Sequence, residues 1–132
     1  GLAESWRQQD DTTLVLTLRA ASFHDGLPVT SADVAASFAR IPSVPSNVGA
    51  FLPYIRAVTA VETPDARTVV IKTSAPTPSL LRNLALVSIV PARFANASPD
   101  AFNSGAAAIG SGPFRFVRYE RAAALELERN DA

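Results

Sequence analysis

Three times along this chain, two short β-prone apolar runs flank a turn signal, and that pattern constrains the fold more than any other feature. Leu14-Val15-Leu16-Thr17-Leu18 alternates loosely behind Asp10-Asp11-Thr12, and Trp6 lies across that turn, so residues 4–19 read as a hairpin. Residues 55–62 and 67–73 bracket Thr63-Pro64-Asp65-Ala66 in the same way. Residues 114–119 and 124–128 bracket a third turn near 120–123. Runs joined by such short turns pair antiparallel, because a parallel pair needs a long crossover.

One strong helix signal sits between the first two hairpins. His24-Asp25-Gly26 is a tight turn in which glycine supplies the positive φ. Thr30 then caps a helix over residues 31–41, its hydroxyl reaching the Asp33 amide while the Asp33 carboxylate favours the positive helix end. Val29 and Val34 are spaced as a hydrophobic staple, Val34, Phe38 and Ile41 form the buried stripe, and Pro42 stops the helix. Residues 42–49, rich in proline and serine, read as a loop. Residues 76–86 read as a short helix with Thr77 as cap and Pro78 in its first turn, and residues 87–90 as a short buried strand. One further helical turn is expected after Pro99. The fold class is α+β, with mostly antiparallel β-hairpins and a few short helices.

Composition narrows the partners. At 132 residues the chain suits one domain, and 48% hydrophobic against 18% charged residues indicates a globular one. Twelve basic residues balance twelve acidic ones, so no net field draws in nucleic acid or an anionic membrane. Cysteine is absent, which removes disulfides and thiolate metal sites. Neither a membrane span nor a signal peptide is evident, and no methionine occurs even at position 1, as expected of a processed or excised segment.

Catalytic readings find little to build on. His24 is the single histidine and sits in a turn, with no G-x-S-x-G elbow elsewhere, so a turn histidine held by backbone outweighs a general base. Asp10-Asp11 reads as a solvated turn, without the D-x-D-x-D-G pattern of a calcium loop. Gly110-Ser111-Gly112 is followed by Pro113 and a strand, whereas a phosphate cradle needs a helix N-terminus there. Glu126 and Glu128 share one strand face opposite Leu125 and Leu127, as a solvated face does. The residues alone point to an α+β domain without catalytic machinery.

Four segments in order resemble one family, the bacterial extracellular solute-binding proteins of family 5, which serve oligopeptide, dipeptide and nickel ABC importers. They are Leu2-Ala3-Glu4-Ser5-Trp6 with the Asp10-Asp11 turn; residues 23–34 with Phe38 and Arg40; the hairpin arm 65–71; and Ile109-Gly110-Ser111-Gly112-Pro113-Phe114, ending at Leu127-Glu128-Arg129-Asn130. Ser111 stands where the family usually has threonine, Phe114 where it has tyrosine, and residues 14–18 lack an aromatic.

The resemblance implies part of lobe I of a two-lobed periplasmic binding protein of type II, cluster C. It places an inserted subdomain at roughly residues 20–110, flanked by core strands at 1–19 and 111–132. It implies capture of a peptide, or of a nickel chelate, outside the cytoplasmic membrane for delivery to a membrane permease. It implies no enzyme activity, cofactor, metal or nucleic acid. The location would be periplasmic, or extracellular and lipid-anchored in a Gram-positive host. In the family an aromatic side chain before the central hairpin faces ligand; counting back from Asp65 and Thr68 puts Phe51 there, with Tyr54 as a second ligand-binding candidate and Ser88 as a third on the same wall. The alternative is a stand-alone interaction or dimerisation module. A reading frame that continues past Ala132 favours the importer, and a stop codon there the module.

Overall fold

Antiparallel pairing organises the computed structural model, which describes residues 1–44 and 51–131. Strands β1 (Ala3–Asp10) and β2 (Thr13–Leu18) form the first hairpin, and β3 (Val58–Asp65) and β4 (Thr68–Thr73) the second. The hairpins join through β2 and β4 into one sheet of order β1-β2-β4-β3. Strand β2 pairs with β4 from Thr13–Lys72 to Thr17–Thr68, so the boundary expected near residue 20 falls beside a sheet that residues 1–19 share with the second hairpin. Strands β5 (Phe114–Glu120) and β6 (Ala124–Arg129) pair separately.

Helix α1 (Ser31–Arg40) supplies the other half of the core. Leu14, Leu16 and Leu18 on β2, with Val69 and Ile71 on β4, recur every second residue and point to one face. Val34, Phe38 and Ile41 meet them from the helical stripe. Thr30 and Asp33 face each other as a capping box. Its hydrogen bonds run chiefly to the carboxylate: Asp33 Oδ2 accepts from the Thr30 amide at 2.7 Å and from its hydroxyl at 2.9 Å. The helix start is then fixed to the second hairpin, where the Ser31 amide donates to the Ala66 carbonyl. Arg67 ties that hairpin to the end of β2 through two bonds to the Leu18 carbonyl.

Several local expectations need correction. Residues 87–90 form no strand, because their amides pair elsewhere: that of Val87 donates to the Leu84 carbonyl and that of Val90 to Ser37 Oγ at 2.9 Å. Ile55 belongs to a helical turn, α2 (Leu52–Ile55), which Pro53 opens, so β3 begins only at Val58. The reversal expected at residues 63–66 lies later, since β3 runs on through Pro64 to Asp65. A register shift there and the edge position of β3 make room for a residue without an amide hydrogen. The helix expected over 76–86 shortens to α3 (Leu80–Leu84), because the Thr77 hydroxyl turns back to the Ala75 carbonyl and caps nothing. Helix α4 (Pro99–Asn103) appears as expected, with Ser98 accepting from the Ala101 amide. Beyond a 3-10 turn at Ile41–Ser43, most of the loop expected over 42–49 lies outside the described residues.

Two turn aspartates connect sequence to acid stability. Asp10 Oδ1 accepts from the Thr12 amide, and Asp65 Oδ1 from the amides of Arg67 and Thr68. Those donors, the Thr12 and Arg67 amides foremost, hold both carboxyls below the usual aspartate value. A pKa depressed on folding contributes stability that is fully present above the unfolded-state value and is lost as pH falls through the folded-state value. Melts in that acid window should therefore fall less steeply for an Asp10→Asn, Asp65→Asn double variant than for the parent chain. Parallel pH profiles would mean that these turns do not contribute to acid lability.

Candidate ligand-binding site

The end of α1 lies beside the segment that ends at Val90, and a cavity of about 310 Å³ opens between them. Pro42 ends regular helix geometry at Arg40, whose guanidinium extends to the far wall. Its Nη1 donates to the carbonyls of Ala95 and Ala97, both at 2.7 Å, and the group stacks 4.5 Å from the centre of the Phe102 ring. Asp33 and Ser37 hold the adjoining strip of chain: Asp33 Oδ1 accepts from the Ala92 amide and Ser37 Oγ accepts from the Val90 amide. The cavity thus has a floor built by one helix and by backbone hydrogen-bonded to it.

Phe51 and Ser88 both line this cavity, facing Ile41, Val87 and Val90. Phe51 is half-buried against the core cluster, at the entrance to α2. Tyr54 is not among the lining residues; it is partly exposed on α2, its amide bonded to the Phe51 carbonyl. The sequence reading singled out neither Arg40 nor Phe102 as lining residues. Their contact joins positions far apart in the chain, and no local spacing announces it.

His24 occupies a different place. Its Nδ1 accepts from the Gly110 amide at 3.3 Å and its Nε2 lies 3.0 Å from the Gly112 carbonyl, a pattern that suits the tautomer protonated at Nε2. The imidazole thus clasps the segment leading into β5, so Gly110-Ser111-Gly112 is a structural turn. Asp25 pairs with Arg93 beside it. Among the described residues no three His, Cys, Asp or Glu side chains gather as a metal site would require, and no helix is long and apolar enough to cross a membrane.

The comparisons agree with this architecture. Residues 1–132 match the family described as bacterial extracellular solute-binding proteins, family 5 Middle. A protein of Brucella ovis, provisionally named an ABC transporter peptide-binding protein, is 36% identical over 135 residues, covering 98% of this chain and 25% of its own length. The chain therefore spans about a quarter of the curated relatives it matches. Among solved structures, the PBP AgaA from A. tumefaciens R10, in complex with agropinic acid, superposes with a TM-score of 0.82 at 37% identity, covering 97% of this chain and 26% of that one. The oligopeptide-binding protein AppA of Bacillus subtilis, in complex with a nonapeptide, gives 0.82 at 25% identity, with 99% and 27% covered. Full-length family matching, the shared α+β architecture and these relatives together place the chain in family 5 of the bacterial extracellular solute-binding proteins.

Proposed function

We propose that this chain forms one wall of the ligand site in the solute-binding protein of an ABC importer, and that the ligand is a peptide. The observation that carries the reading is the convergence of Phe51 and Ser88 on one largely apolar cavity. An aromatic wall gives contact area without demanding one hydrogen-bond pattern, which suits a ligand with varied side chains. The names of the Brucella relative and of AppA support a peptide, while the likeness to AgaA favours an acid like agropinic acid as second choice. A nickel chelate, also served by the family, is the third.

In this reading residues 1–132 belong to lobe I, with roughly 20–110 inserted between flanking strands, and a second lobe closes over the cavity. Ligand that touches both lobes stabilises the closed state over the open one. Tyr54, on the exposed side of α2, would meet ligand only at the rim. Delivery is to a membrane permease, from the periplasm or, in a Gram-positive host, from a lipid-anchored position. A stand-alone interaction module is the second reading, favoured by the exposed apolar side chains of β5 and β6 such as Phe114 and Leu125.

Calorimetry separates these readings. A protein of the relatives' full length should bind short peptides, and the 132-residue chain should bind them weakly or not at all because closure is missing. Affinity of about a micromolar Kd or better for the short chain alone would sink the two-lobe mechanism. No peptide binding by the longer protein would sink the choice of ligand.

A further inference from the structure

We propose that the cavity beside Phe51 receives a carboxylate-bearing group of the ligand and turns away cationic groups; this rests on the reading of the cavity as a ligand wall. Among the described residues that line the cavity, Arg40 is the one ionisable side chain. Among the described residues it makes no ion pair. Two backbone carbonyls and the Phe102 face hold the guanidinium in place, yet they are dipoles and a quadrupole, not a counter-charge. The six residues between Val44 and Phe51, Pro45-Ser46-Asn47-Val48-Gly49-Ala50, contain no ionisable side chain either.

Among the described residues the cavity lining therefore carries one positive charge without an ion-pair partner, set among mostly apolar walls. There the attraction for an anion exceeds its value in water, since field lines pass through a low-dielectric surround. An ammonium group would leave water, find no acceptor charge and face a like charge. A guanidinium held this firmly suits a carboxylate, and loses less freedom in pairing than a mobile lysine would. Ile41, Phe51, Val87 and Val90 would accept the methylene groups that carry the carboxylate.

The test uses three tripeptides that differ at one side chain: glutamate, its neutral isostere glutamine, and lysine. Titrated by calorimetry into the protein of the relatives' full length, the glutamate peptide should bind about tenfold tighter than the glutamine peptide, and lysine weakest. High salt should narrow the gap. Arg40→Met should abolish the difference between glutamate and glutamine, while Arg40→Lys should keep part of it. Equal affinities for glutamate and glutamine, a preference for lysine, or a gap that survives in folded Arg40→Met would overturn the charge assignment and leave the peptide reading standing. If Arg40→Met fails to fold, the ratio of glutamate to glutamine affinities in the unaltered protein decides alone. Failure of all three peptides to bind would sink the peptide reading and this inference with it.

Discussion

Asp33→Ala should lower the unfolding free energy by about 2–4 kcal/mol, among the larger losses expected from a polar substitution in this chain. Asp33 is 7% exposed, and its carboxylate accepts three hydrogen bonds from two distant stretches of chain. Oδ2 takes the amide and hydroxyl of Thr30, and Oδ1 takes the Ala92 amide at 2.7 Å. Alanine would leave those donors without an acceptor next to the core, and a donor stripped of its partner costs more than an average hydrogen bond contributes. The cap and the floor of the cavity would loosen together, because one residue serves both. Asp33→Asn keeps an acceptor oxygen and should lose less. Denaturant melts give the answer, and a loss under about 1 kcal/mol for Asp33→Ala would mean that solvent reaches these donors.

Phe51→Ala in the longer protein should weaken ligand binding by about tenfold or more, since aromatic anchors dominate contact energy in such pockets. The stability cost should be smaller, about 1–2 kcal/mol, because Phe51 is only half-buried against the core. The two effects separate cleanly: calorimetry on the folded variant reports the first and thermal melting the second. A variant that melts far lower yet binds ligand normally would make Phe51 a packing residue and remove it from the site. Ser88→Ala, on the same cavity, should move affinity less, since only one hydroxyl is lost.

The parts of the fold that were legible in the sequence are those with a local cause. Period-two burial at Leu14, Leu16 and Leu18 and the capping pair Thr30 and Asp33 write β2 and α1 directly into neighbouring residues. Residues 87–90 misled because a short apolar run looks alike in a strand and in a buried extended segment; the difference is Ser37, over fifty residues away, which satisfies the Val90 amide. Residue 55 misled because Pro53 opens a helical turn that takes in Ile55, shortly before the β-branched pair Val58 and Thr59. Family resemblance put Phe51 and Ser88 on one wall, and both line the cavity, whereas the guanidinium of Arg40 over Phe102 depends on how α1 and α4 are laid together. Only the assembled structure supplies that.

The separate β5–β6 pair has its own bookkeeping of faces. Arg115 and Arg118 lie three residues apart yet both pair with glutamates of β6, Glu128 at 2.7 Å and Glu126 at 2.6 Å. The register shift between Phe116 and Arg118 makes this possible by rotating the strand, and Phe116 and Tyr119 then stand opposite Leu127 and Leu125. Gly105 approaches the Phe116 ring so closely that an added Cβ there would collide with it, and His24 grips the segment ahead of β5.

Amide hydrogens should record this division as two exchange regimes. Those of β2 and β4 are flanked on both sides by other strands and covered by α1, so they exchange only when the whole sheet opens. Those of β5 and β6 belong to a two-stranded ribbon, an element marginal by itself, and open without disturbing the larger sheet. Exchange should thus be slow in the four-stranded sheet and fast in the β5–β6 hairpin.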